Sequence, residues 1–406
     1  MDWRIPLPRI RNINPMPAVH HRQQVYVLQD PFQLAEGSII IPQELGAIFM
    51  LCDGTRTIQA VQSSLISIFG IRVSEADLRE LFLAMDESCL FENERYEKAH
   101  SDALDAFRRS PFRRAIHAGV SYPTDPEELT KMLAGFQSSG EPPSTDELTR
   151  GVITPHIDFA RGGSTYANAW TSLLAQLETV ELVILLGTDH HGTGEIFTLT
   201  RQDYATPFGI LPTYQPAVDM MVDIFGEGPL FSGELRHRTE HSIEFAAVWL
   251  HYLRDGKPCS LLPILCDDLP TRNDGKVSKP DSDPHLQAAI SDLRELIRSK
   301  NTLVVAAGDL SHVGPAFGGE KVPAAALGDL NKADQDILAP IAAGEALEFH
   351  RTILSTENQT NVCGTSPFVH ALNLLDPLQG RLLDYQQCPA DPDETSWVSI
   401  CAMHLY

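Results

Sequence analysis

The feature that most constrains the fold is a recurrence of short apolar runs: "GVIT" (151–154), "LVILLG" (182–187), "CSLLPIL" (259–265) and "TLVVAAG" (302–308). Uninterrupted apolar runs of this length are what strands covered on both faces look like. Between and after them lie segments with helical periodicity: "GGSTYANAWTSLLAQL", "EHSIEFAAVWLHYL", "HLQAAISDLRELIRS" and "AALGDLNKADQDILAPI". The alternation predicts an α/β domain with a central sheet flanked by helices on both faces. The polar stretches "QSSGEPPSTDELTR" and "CDDLPTRNDGKVSKPDSDPH" read as surface loops.

Three of these runs end in loops that carry histidine. "GVIT" leads to "PHIDF" with His156, "LVILLG" to "TDHHG" with His190, and "TLVVAAG" to "DLSHVG" with Asp309 and His312. Ligands of open α/β sheets bind beyond the carboxyl ends of the strands. If the three strands are parallel neighbours, their loops converge on one cleft. A single loop histidine is ordinarily solvated or bonded to backbone, but three in equivalent places point to a shared site. Neutral imidazole is the commonest metal ligand. Asp189 and His191, beside His190, read as pocket wall or loop.

Two further elements can join the cleft. "TEHSIEF" opens a helix near residue 240, with Glu240 and Glu244 four apart on one face and His241 adjacent. These acids can serve as general base, ligand or second partner orienting histidines; the alternative is a solvated first turn favoured by the helix dipole. In "NVCGTSPFVHALNLL", Cys363 precedes a helix start with Thr365 or Ser366 as cap and Pro367 in the first turn. A helix N-terminus favours the thiolate; the alternative is a small buried hydrophobe.

The remainder of the chain reads as a separate small module. Residues 1–24, rich in Pro, Arg and Asn, read as an irregular lead. Residues 25–100 hold strand-like "VYVLQDP" and "SIIIP", then a helix with Ile58, Val61, Leu65 and Ile68 at helical spacing, stopped by Gly70. A second helix starts at Ser74, with Asp77 completing a variant capping box and Leu78, Leu81, Phe82 and Met85 as its apolar stripe. A wing at "CLFENE" completes an α+β winged-helix pattern, and residues 101–111 connect it to the α/β domain at 112–406.

The 406 residues suffice for two or three domains. A net charge of −23 and no basic run oppose binding to nucleic acid or an anionic membrane. No apolar stretch is long enough to span a bilayer, and "MDWRIPLPRIRNINP" lacks a signal-peptide core. The seven cysteines are scattered without C-x-x-C spacing, which suggests a reducing, cytoplasmic setting.

Two resemblances add to this reading. The pattern "CDGTRTIQAV…FGIRVSEADLRELFLAMDESCLF" resembles the PqqD-like family, whose modules present peptides to modifying enzymes by adding them as a strand to a sheet edge. A structural winged helix or dimerisation element is the alternative. In the larger domain, "IHAGVSYPTDPEEL", "TPHIDFARGGSTY", "LLGTDHH", "TEHSIEF", "GDLSHVG" and "CGTSP" stand in the order of the Memo family, called AmmeMemoRadiSam system protein B in prokaryotes. The resemblance spans residues 112–406.

The resemblance implies a fold shared with LigB-like class III extradiol dioxygenases. It implies metal ligands at His156, His190 and Cys363, with Asp309 and His312 in the same pocket; Glu244, which lies among apolar residues of its helix, stands as a further catalytic candidate on its own spacing. The implied metal is Fe(II), with Cu or Zn as alternatives. His191 is not carried over, since many relatives have another residue there. This chain reads "PHIDFARGG" where the family has "PHAGYxYSG", so Asp158 and Arg161 alter the pocket wall. It also lacks the usual Leu-Pro-Phe after "EHSIE". The implied partners are a radical SAM enzyme and an AmmeMemoRadiSam protein A-type protein. Three functions compete: a metal-dependent redox enzyme or maturation factor, a peptide-binding protein using the dioxygenase-like cleft, and a zinc hydrolase.

Overall fold

A computed structural model describes residues 2–406 apart from 14, 22, 36, 138–147, 268 and 270–282. The two polar stretches expected as loops fall for the most part outside the described residues. The chain divides into two compact units, Met1–Arg109 and Ser110–Tyr406. Among the described residues no helix is long and apolar enough to cross a membrane.

The first unit opens with strands β1 (Met16–His20), β2 (Gln23–Leu28) and β3 (Ile39–Pro42), paired antiparallel in that order. Helices Ile58–Phe69, Glu75–Glu87 and Glu94–Arg109 follow. Thr57 caps the first by accepting from the Ala60 amide, and Gly70 ends it in the left-handed region that glycine enters without strain. Ser74 caps the second and donates to Asp77 at 2.7 Å. Ile58, Val61, Leu65, Leu78, Phe82 and Met85 are buried together, whereas Ile68 stands in the last turn, beyond the core.

Residues 1–24 are not an irregular lead. They contain β1, and Leu7, Ile10 and Ile13 enter the same core. Arg11 is buried against Asp30 at 2.7 Å and lies 3.9 Å from the centre of the Tyr96 ring. The expected wing at 89–94 reduces to a single bridge between Phe91 and Ile10.

The second unit is built on a mixed sheet with eight strands among the described residues. Strands β4 (Gly151–Thr154), β5 (Leu182–Thr188), β9 (Ser260–Cys266) and β10 (Thr302–Ala307) are parallel, in the order β4-β10-β5-β9. Between β5 and β9 in the chain come β6 (Phe197–Leu199), antiparallel to β9, and a separate hairpin of β7 (Tyr204–Thr206) and β8 (Gly209–Leu211). Beyond β4 the sheet turns antiparallel through β13 (Trp397–Leu405), which pairs with β4, with β12 (Gly380–Pro389) and with β11 (His312–Val313).

Alternate residues of the parallel strands enter two apolar layers. Ile184, Leu186, Val304 and Ile264 face helices Gln215–Phe225, Pro284–Ser299, Leu327–Ala342, Ala346–Ser355 and Thr365–Leu375. Val183, Leu185, Val305 and Leu261 face helices Pro126–Gly135, Phe159–Trp170 and Ser242–Leu253. Each such side chain withdrawn from water contributes about 1.5–3 kcal/mol. This two-sided burial is why the strands lack alternation in sequence. β10 pairs in parallel with both β4 and β5, so the loops bearing His156, Asp309 and His190 leave the same edge of the sheet.

Candidate metal centre

His156 lies two residues beyond β4. Its amide and that of Ile157 donate to Asp309 Oδ1 at 2.9 and 3.3 Å, which ties the loop after β4 to the loop after β10. The turn then enters helix Phe159–Trp170 with Asp158 as cap. The His156 ring has Nδ1 3.3 Å from the Ala307 carbonyl and Nε2 3.2 Å from Cys363 Sγ.

His190 follows β5 and is bound to Glu240, which accepts from its amide at 3.2 Å and lies 3.0 Å from its Nδ1. The same carboxylate accepts from the amides of His241 and Ser242 at 2.8 and 3.0 Å and lies 3.1 Å from His241 Nδ1. Nδ1 is thus engaged in all three rings, which leaves Nε2 of each as the nitrogen available to an ion. The ligand atoms of His156, His190 and His241 lie within 4.8 Å of one another. His156 is 2 % exposed, while the His190 and His241 side chains keep 30 % and 33 %. The cluster therefore has a buried floor and an open mouth.

The charges follow from this packing. Burial, reinforced by the fields of His190 and His241, holds His156 well below the usual imidazole range. Burial also opposes charge on His190, but the Glu240 carboxylate outweighs it and raises His190 well above that range. Glu240 is held well below the usual carboxylate range: burial acts against this, and His190 overcomes it. Burial pushes the Cys363 thiol up, partly offset by its hydrogen bond to His190. That departs from the thiolate expected at a helix start. Burial pushes Asp309 up to about 6, against the hydrogen bond from the His156 amide. His312, with Nδ1 3.1 Å from the carbonyls of Leu310 and Asn361, is pushed down to about 4 by burial and then by His190.

Cys363 is positioned by backbone contact. Gly364, not Thr365 or Ser366, caps helix Thr365–Leu375. A Cβ on Gly308 would stand 2.5 Å from Gly364 Cα, and one on Gly364 would stand 2.5 Å from Phe368 and 2.8 Å from the Asp309 carbonyl. The two loops touch main chain to main chain, and Thr188 Oγ1 donates to the Cys363 carbonyl at 3.0 Å. Gly308→Ala is expected to cost on the order of 1–3 kcal/mol by overpacking and to make Cys363 react faster with a thiol reagent. An unchanged urea midpoint and thiol rate would show that the loops have room.

Glu244 departs from expectation. Helix Ser242–Leu253 starts after Glu240, so the two acids do not share a helical face. Glu244 is buried in an ion pair with Arg113, and it also accepts from the amides of Ile116 and His117 and from the Tyr122 hydroxyl. Its acceptor positions are filled, so it braces the segment 113–122 rather than serving as base or ligand. Asp189 points away from the cluster to Arg236 at 2.7 Å, and His191 is exposed. His241 is the residue the spacing argument passed over; its adjacency to Glu240 was the available signal. Nothing local marked Arg113, whose side-chain partners, the Arg114 carbonyl apart, lie more than a hundred residues away.

The donor set fits a transition-metal ion. Two ligands each about 2.1 Å from an ion stand about 3.4 Å apart at the tetrahedral angle, so the 4.8 Å spread closes with a shift of about 0.7 Å at each ring of the widest pair. Imidazole nitrogens with a thiol alongside suit iron, copper or zinc.

The wider relationships agree with the architecture. Residues 113–404 match the family model described as Memo-like protein. The chain is 26% identical over 384 residues to a MEMO1 family protein of Aquifex aeolicus, covering 94% of this chain and 96% of that one. It is 29% identical over 336 residues to one from Thermus thermophilus, covering 82% and 94% respectively, and 27% identical over 282 residues to one from Methanopyrus kandleri, covering 66% and 89%. Because the second unit ends at Tyr406 and begins only at Ser110, the 384-residue match to the Aquifex relative must extend into the first unit. A family-model match over residues 113–404, most of the chain, with a relative aligned over nearly its whole length, places this protein in the Memo family.

Proposed function

We propose that this chain holds one transition-metal ion, Fe(II) by preference, on His156 and His190 with Cys363 and His241 as further donors. In this reading it is a metal-dependent redox enzyme or maturation factor on a LigB-like domain. The supporting observation is that three imidazoles from separate segments bring one ligand nitrogen each within 4.8 Å of one another, with Nδ1 of every ring held by a carbonyl or carboxylate. When bound, such an ion offers open coordination positions for substrate or dioxygen. The chain's own residues handle protons and access. Asp309, with Oδ2 3.8 Å from His156 Nε2, is a carboxylate near neutral pH that accepts a proton readily. His312 stays a neutral imidazole able to accept a hydrogen bond from substrate. The mouth at His190 and His241 admits the substrate.

By the same family resemblance we place the protein beside a radical SAM enzyme and an AmmeMemoRadiSam protein A-type partner. The first unit then acts as the PqqD-like peptide holder, with β1 and β3 as the sheet edges on which a strand adds. Affinity purification of the tagged chain from its own host that brings down no radical SAM protein would remove this part.

Elemental analysis after anaerobic purification tests the centre. Iron or copper supports it; zinc at full occupancy turns the reading to a hydrolase, and no metal turns it to a peptide-binding cleft. Proton release gives a second check. Glu240 favours a proton on His190, and burial favours the thiol over the thiolate at Cys363. An ion at His190 expels one proton, and an ion also at Cys363 expels two. Apparent affinity is expected to rise about tenfold per pH unit for one and about a hundredfold for two. Calorimetry with Co(II) in buffers of different ionisation enthalpy counts them, and zero release would rule out His190. Without metal the sign reverses: the raised His190 adds stability below the usual imidazole range, lost as pH climbs through its raised value.

A further inference from the structure

We infer that Glu240 is the positioning residue of this centre: one carboxylate holds the Nδ1 edges of two imidazoles and thereby assigns His241, with His190, to the ion. The inference rests on the metal reading above. Glu240 is 4 % exposed and spends its oxygens on five donors. These are the amides of His190, His241 and Ser242 and the two Nδ1 atoms. The two rings it holds stack at 4.9 Å with an interplanar angle of 16°. Their common orientation is the geometric result of a common anchor. His156, by contrast, is tied to main chain at Ala307.

The chemistry of the anchor matters as much as its place. A carboxylate only accepts, so it fixes both Nδ1 atoms as N–H donors and leaves both Nε2 lone pairs for an ion. Glutamine has one accepting and one donating end. Oε1 lies 3.1 Å from both Nδ1 atoms and takes the His241 and Ser242 amides, so the glutamine oxygen belongs there and its NH2 faces the amide and Nδ1 of His190 at the Oε2 position. That meeting of donors pushes His190 out of place or into the tautomer that carries its hydrogen on Nε2, where the ion would sit. Glu240→Gln therefore disables a ligand without touching it, whereas Glu240→Asp keeps an acceptor-only group.

The test is Co(II) binding by the full chain, read as affinity and as the visible ligand-field spectrum, with urea midpoints alongside. Glu240→Gln is expected to weaken Co(II) by about ten- to a hundredfold and to change the spectrum, with Glu240→Asp recovering part of both. His241→Ala, at a side chain one third exposed, is expected to weaken Co(II) by a similar factor. Loss of Co(II) in His156→Ala and His190→Ala with wild-type binding in Glu240→Gln or His241→Ala overturns the inference and leaves the metal reading standing. Wild-type Co(II) binding in His156→Ala overturns the metal reading itself.

Discussion

Purified without oxygen, His156→Ala and His190→Ala are each expected to carry no more than traces of metal. Zinc held by four protein ligands is worth about 10–16 kcal/mol, so each ligand supplies on the order of 3 kcal/mol, or about a hundredfold in affinity. His156 is the more damaging loss, because it is the floor of the site. It is 2 % exposed, and its amide and ring connect the loops after β4 and β10 and the Cys363 segment. His190 sits at the mouth, where water replaces a lost imidazole more readily. Cys363→Ala separates the family's expected thiolate ligand from a thiol that merely lines the wall. Metal content equal to wild type in both histidine variants would end the ligand assignment.

Arg113→Ala is expected to destabilise the second unit by about 3–5 kcal/mol, the usual consequence of leaving one charge of a buried pair alone. The Arg113 and Glu244 side chains are 0 % and 1 % exposed. Arg113 also donates to the carbonyls of His237, Arg114 and Glu240 at 2.9, 2.8 and 2.7 Å, so its loss orphans three further acceptors. Replacing both members by apolar residues does not restore stability here, because the amides of Ile116 and His117 and the Tyr122 hydroxyl would lose their acceptor. Urea unfolding followed by tryptophan fluorescence gives the number. A loss below about 1 kcal/mol would mean that water reaches the pair.

The four parallel strands were legible because burial on both faces removes polar positions, and that pattern is local. Their order was not local, yet three histidine loops in equivalent places carried part of it: β4, β10 and β5 are neighbours. β12 escaped because it is half exposed and its composition, "GRLLDYQQCP", is mostly polar. β1 was hidden in a proline- and arginine-rich lead whose apolar residues, Leu7, Ile10 and Ile13, are spaced by neither strand nor helix period. At the site, His156, His190, Cys363, Asp309 and His312 were named from sequence. Glu244 was misplaced because the helix begins two residues later than the acid pair suggested. A two-residue error at a helix start, about half a turn, rotates a side chain from a cleft to a core.

The contrast between the His156 floor and the half-open His190–His241 mouth has a kinetic consequence. On the metal reading, an ion entering from solvent would meet the outer pair before the deep imidazole, and the exposed rings would stay within reach of a competing ligand. A small chelator entering by the mouth is therefore expected to speed release in proportion to its concentration, as in an associative exchange between carriers. A centre of this form would suit hand-over as much as storage.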